Sequence, residues 1–179
     1  MLIHGITITT LVEILTQQEI NTPQAWYADD NGIEGKAHKL AGLLCLLMKI
    51  GKYFGYIPEP TKSYFICTQK DEAAAKSIFK ELGLDIKYTR GHSYVGTFIG
   101  SNVMRDRWLQ PKIDHWVKAV NVLASFAKHY PQSAYTGFTI SLQAQWLHLC
   151  RTTPYIAEKL QPVEVAIRQN CCLLFLNLI

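Results

Sequence analysis

Tyr27-Ala28-Asp29-Asp30 sets two adjacent carboxylates directly before Asn31-Gly32. The run Gln24–Ala28 with its two aromatics, followed by Asp-Asp-Asn-Gly, reads as strand, tight turn and short return strand. Adjacent carboxylates raise each other's pKa unless a cation sits between or beside them, and a hard divalent ion meets that need. Phosphoryl transfer uses such ions in pairs, one activating the attacking hydroxyl and one steadying the leaving pyrophosphate. A tight turn suits this work because it carries the carboxylates beyond the sheet edge. Taken alone, the four residues favour an ordinary solvated turn, for which Asp-Asp-Asn-Gly is equally good chemistry.

The chain around them has 179 residues, 49% hydrophobic and 18% charged, a composition that excludes disorder and allows one domain or two small ones. Its net charge of +4 is unevenly spread. Residues 1–100 hold ten basic and ten acidic side chains, and residues 101–151 hold six basic and two acidic. That block, Arg105, Arg107, Lys112, Lys118, Lys128 and Arg151, permits a nucleic-acid partner. The five cysteines form no C-x-x-C pair and have no zinc spacing, so they read as reduced thiols of an intracellular protein, nuclear or cytoplasmic. The longest apolar run, Ala41–Met48, is far short of a membrane span, and no membrane partner is expected.

Residues 2–18 suit strand by propensity and helix by spacing. Leu40, Leu43, Leu44, Leu47, Ile50 and Phe54 predict an amphipathic helix over 36–54. Ser63–Thr68 reads as a strand. A helix capped by Asp71 and ending at Gly83 follows, then strands at Leu84–Tyr88 and Ser93–Gly100. Beyond these the chain reads as helical, with stripes at Ile113–Ala127 and Tyr135–Leu149 delimited by Pro131 and Pro154. The expected class is α+β: a partial palm-like layer over 1–100 with a short antiparallel sheet, a helical module over 101–169, and an atypical apolar tail over 170–179. His92 and His115 read as packed or exposed side chains, with no nucleophile spaced to use them.

The order of these parts resembles the palm and thumb of retrotransposon reverse transcriptases, RNA-directed DNA polymerases of eukaryotic genomes. In that family a Y-x-D-D hairpin is followed by a helix, a lysine-bearing loop before a strand, an aromatic–aliphatic–glycine turn, and a helical thumb. Here those parts resemble Tyr27–Asp30, the helix 36–54, Pro58–Ser63, Tyr94-Val95-Gly96, and the helices from about 105 onward. The resemblance also prompts the choice of helix for 2–18. It implies Asp29 as metal ligand with Asp30 as its partner, Mg²⁺ or Mn²⁺ as cofactor, and Tyr27 facing primer terminus or nucleotide. Lys62 resembles the lysine that protonates pyrophosphate, and Tyr94 and Gly96 a primer-grip turn. By spacing alone Lys62 is an exposed loop lysine and Tyr94 a packed strand aromatic.

The implied partners are template–primer nucleic acid and dNTP, with the basic block on the backbone. The family's third carboxylate and nucleotide-pocket loop precede the hairpin, where only Glu13 and Glu19 stand among the 26 residues before Tyr27. The expectation is therefore a fragment inactive by itself and prone to self-association. Two other readings remain: a nucleic-acid-binding remnant without catalysis, and a neutral structural or interaction domain.

Overall fold

The computed structural model describes residues 2–18, 21–27 and 30–170, and the side chains of these except residues 2–7. The architecture is α+β and mostly helical. It divides into two compact units, Met1–Val95 and Gly96–Ile179. The strand at Thr97–Gly100 thus goes with the helical module, where the sequence had grouped it with the first. The tail Cys171–Leu176 lies outside the described residues.

The first unit opens with helix α1 (Leu2–Gln18), then strands β1 (Gln24–Tyr27) and β2 (Asp30–Ile33). Helix α2 (Ala37–Ile50) runs into a 3₁₀ turn at Gly51–Phe54. Two apolar stripes make α2 the centre of the unit. Leu43 and Leu47 pack with Leu11 and Leu15 of α1, and with Trp26 and Ile33 of the hairpin. Ala41, with Leu40 and Leu44, packs against Phe79, Leu84 and Ile86. Gly51 permits the exit from α2: a Cβ there would stand 2.5 Å from the Tyr56 carbonyl oxygen, closer than any side chain tolerates.

Strand β3 (Tyr64–Ile66), helix α3 (Gln69–Glu81) and strand β4 (Lys87–Thr89) follow, then strand β5 (Gly91–Tyr94). The cap of α3 is Thr68 rather than Asp71; Asp71 sits in the first turn and accepts from the Thr68 hydroxyl. Strands pair two by two instead of forming the single antiparallel sheet expected. β1 and β2 are antiparallel, while β3 and β4 are parallel, in register Tyr64↔Lys87. The parallel pair follows from its connection, since a helix crossover such as α3 returns the chain in the same direction.

The second unit starts with β6 (Thr97–Gly100) and helix α4 (Asn102–Ala127), capped by Ser101, whose side-chain oxygen accepts from the Met104 N–H. Helix α5 (Pro131–Thr136) passes through a π-helical stretch, Gly137–Leu142, into α6 (Gln143–Thr152), and α7 (Gln161–Asn170) ends the description. Leu109, Ile113, Trp116 and Val120 of α4 meet Leu142, Trp146 and Leu149, with Val163 and Ala166 of α7. The Trp116 indole N–H, buried in this core, donates to Gln145 Oε1 at 2.9 Å. That satisfies the one polar group an otherwise apolar side chain brings inside.

Candidate metal and nucleic-acid sites

β1 and β2 pair with Tyr27 opposite Asp30, and the chain passes from one to the other through Ala28 and Asp29. Those two residues, the expected metal ligand among them, lie outside the described residues. Trp26 turns inward, its ring meeting Tyr56 edge-on with centroids 5.4 Å apart. The alternation of a strand therefore turns Tyr27 outward, and it is 64% exposed. Asp30 is exposed at the end of β2.

Tyr94, from the end of β5, reaches this hairpin. Its hydroxyl donates to the Ala25 carbonyl at 3.2 Å. Its ring lies against Gly32, where a Cβ would be 3.3 Å from the ring carbon bearing the hydroxyl. Burial pushes the Tyr94 phenol above its ordinary pKa, and the negative charge of Asp30 pushes it the same way. Tyr94 thus sits on the Ala25–Gly32 pair, two residues along each strand from Tyr27 and Asp30 and on the face that they share. The backbone after Tyr94 takes φ of 46° at Val95 and 77° at Gly96, the left-handed pair of a type I′ turn, which explains a glycine at the second position.

Lys62 stands apart from that group in its interactions. It is 78% exposed in a 3₁₀ turn, its ammonium 2.7 Å from Glu59 of the same loop. The Glu59 contact holds the Lys62 pKa up, and Lys62 holds the Glu59 carboxyl down.

Of the basic block, Arg105 departs from expectation. It is 7% exposed, with its guanidinium on the Pro154 carbonyl at 3.1 Å and on Asp106 at 2.8 Å. Asp106 also holds Lys159 at 2.9 Å, so Arg105 ties the start of α4 to the loop before α7 and offers nothing to a phosphate. Lys112 is half-buried with its ammonium 4.8 Å from the centre of the Trp108 ring. Arg107, Lys118, Lys128 and Arg151 are exposed. Arg107, Gln110, Asp114, Lys118, Asn121 and Ser125 recur at three- and four-residue steps, so they form a polar stripe along α4. Its middle lines a groove of about 560 Å³ closed on one side by Pro162. Arg107 and Lys118 stand three turns apart on it, about 16 Å.

An oxygen-loving divalent ion would find Asp30, and Asp29 by sequence, with water completing its shell. Among the described residues no group of three or more His, Cys, Asp or Glu side chains could hold a metal. None of their helices is long and apolar enough to cross a membrane. Sequence reasoning passed over a second aromatic cluster, in which the Tyr64 and His92 rings stack with centroids 3.7 Å apart. The two come from different strands 28 positions apart, and no local pattern joins them. Comparison of the chain with protein-family models, with curated proteins and with solved structures found no match.

Proposed function

We propose that the chain carries the C-terminal palm and the thumb of an RNA-directed DNA polymerase of retrotransposon type, whose reaction is templated nucleotidyl transfer to a primer. The observation that carries this reading is the seating of Tyr94 on the hairpin that bears Asp30. It joins the two stretches that the resemblance pairs as catalytic turn and primer-grip turn. The polar stripe of α4, with Arg107 and Lys118 on it, supports a helical module that lies along a nucleic-acid duplex. Asp29 and Asp30 would hold Mg²⁺ or Mn²⁺, and the bound ions would supply charge stabilisation to the phosphoryl transfer. Tyr27, on the outer face of β1, would meet the primer terminus or nucleotide, and Lys62 would serve the departing pyrophosphate only after leaving Glu59.

The test is primer extension on an RNA template with Mg²⁺ and dNTPs. Two carboxylates are poorly equipped to bridge two ions, so the chain alone should bind the primed template without extending it. A separate polypeptide supplying an aspartate-bearing strand and the nucleotide-pocket loop should restore extension, and Asp29→Ala should abolish it. Absence of template–primer binding at low salt would overturn the reading. Binding without restored extension would favour a nucleic-acid-binding remnant.

A further inference from the structure

The β3–β4 pair has one covered face and one open one. Phe65 and Tyr88 turn toward Phe79 of α3, with ring centroids of 5.2 Å and 6.3 Å to that residue. Tyr64 and Lys87, directly paired in the register, turn the other way. Parallel strands are normally covered on both faces. Among the described residues the second face has Tyr64 exposed and Ile66 half-buried beside Lys87, and β5 meets it through His92.

The same face carries an aromatic stack set among cations. The Tyr64 ring is 42% exposed and lies nearly parallel to His92, at 16°. The Lys87 ammonium stands 5.3 Å from the centre of the Tyr64 ring. Lys62 stands one residue before Ser63, whose carbonyl accepts from the Lys87 N–H at 3.0 Å, and its ammonium is paired with Glu59. A π-face backed by a second ring and flanked by two ammonium groups matches a nucleobase with its phosphates. An apolar protein surface would desolvate both ammonium groups without offering either an acceptor.

We infer that the open face of the β3–β4 pair binds single-stranded nucleic acid, with a base stacking on Tyr64 and Lys87 and Lys62 taking the adjoining phosphates. His92 backs the Tyr64 ring and fixes its plane. Lys87 swings off the ring to make room for the base. This inference uses neither Asp29 nor Asp30 nor the stripe on α4 and shares only Lys62 with the proposed function, so its test rests on Tyr64 and Lys87, which the metal site and duplex binding do not use.

The experiment measures fluorescence anisotropy of labelled 12-nucleotide oligouridylate and oligothymidylate, beside a labelled duplex of equal length, on the full chain. Tyr64→Val, which keeps strand propensity and removes the ring, should weaken single-strand binding about tenfold. Tyr64→Phe should retain it, which separates loss of stacking from loss of fold. Lys87→Gln should weaken it and reduce the salt slope by about 0.7. Neither Tyr64→Val nor Lys87→Gln should alter duplex binding, which Arg107→Gln with Lys118→Gln should weaken. Unchanged single-strand affinity in Tyr64→Val overturns the proposal. So does sedimentation showing a dimer that Tyr64→Val dissociates while no oligonucleotide binds, because the face would then be covered by a second copy.

Discussion

The Tyr94 hydroxyl donates to the Ala25 carbonyl across 3.2 Å, bridging residues 69 positions apart. Its ring occupies the space that Gly32 leaves by having no side chain. Tyr94→Phe should cost about 1 kcal/mol in urea unfolding, the worth of one such bond. Gly32→Ala should weaken the same seat by moving the ring. The two losses should be non-additive in a double-mutant cycle, because both act on one contact.

Asp30 and Tyr94 are also coupled by charge. The Asp30 carboxylate is the smaller of two causes raising the Tyr94 phenol pKa, burial being the larger. Asp30→Asn should therefore lower that pKa without returning it to the ordinary tyrosine value. Titration of the Tyr94 ring carbon by NMR reads this directly. A divalent ion at the hairpin should act in the same direction, with a dissociation constant on the order of 10⁻³ M for so few carboxylate ligands.

Two glycines on one helical run should respond with opposite signs. Gly42 has open space where a Cβ would be, and Gly42→Ala should stabilise the first unit by about 0.5–1 kcal/mol. Gly51 faces the Tyr56 carbonyl oxygen at 2.5 Å from that position, and Gly51→Ala should cost about 1–3 kcal/mol. Urea denaturation of the two variants checks both.

The ion cluster of the second unit predicts an acid limb. Lys159 first, then Arg105, hold the Asp106 carboxyl below the usual carboxylate range. A depressed folded-state pKa contributes stability above the unfolded value and loses it as pH falls through the folded one. The thermal midpoint of the second unit should fall as pH drops below about 4. Asp106→Asn should flatten that fall, read by fluorescence of the buried Trp116 and Trp146.

Salt dependence should divide the basic block. Arg107→Gln and Lys118→Gln should each reduce the slope of log affinity against log salt for duplex binding by about 0.9. Arg105→Gln should leave that slope unchanged and instead destabilise the second unit by about 1–2 kcal/mol, since it strands the buried end of the Pro154 carbonyl contact while Lys159 still pairs with Asp106.

What could be read from sequence follows the range of the interactions. α2 was legible because its stripes repeat within one turn; the hairpin was legible as a hairpin, but the Asp-Asp-Asn-Gly run set its turn too late, since Asp30, Asn31 and Gly32 pair with β1 as strand. α1 was ambiguous because apolar residues surround it, although Leu11 and Leu15 do share its buried face. Arg105 was misread as a surface cation because one of its acceptors, the Pro154 carbonyl that draws it inside, lies 49 positions away. The parallel pairing of β3 with β4 and the Tyr64–His92 stack were invisible for the same reason. Each depends on where α3 returns the chain, which no short window records.

Pro111 lies inside α4, so the carbonyl of Arg107, one turn back, has no helical N–H to accept. α4 is therefore continuous in shape and interrupted in its hydrogen-bond ladder, with Arg105 pinning the shorter part to Pro154. Amide exchange should divide the helix near there: residues 102–108 open first, while Leu109, in the tryptophan core, stays closed with 112–127 until that core comes apart. Arg107 belongs to the part that opens first. Any anion it holds would tighten that part, making the first turns of α4 ordered by what they grip.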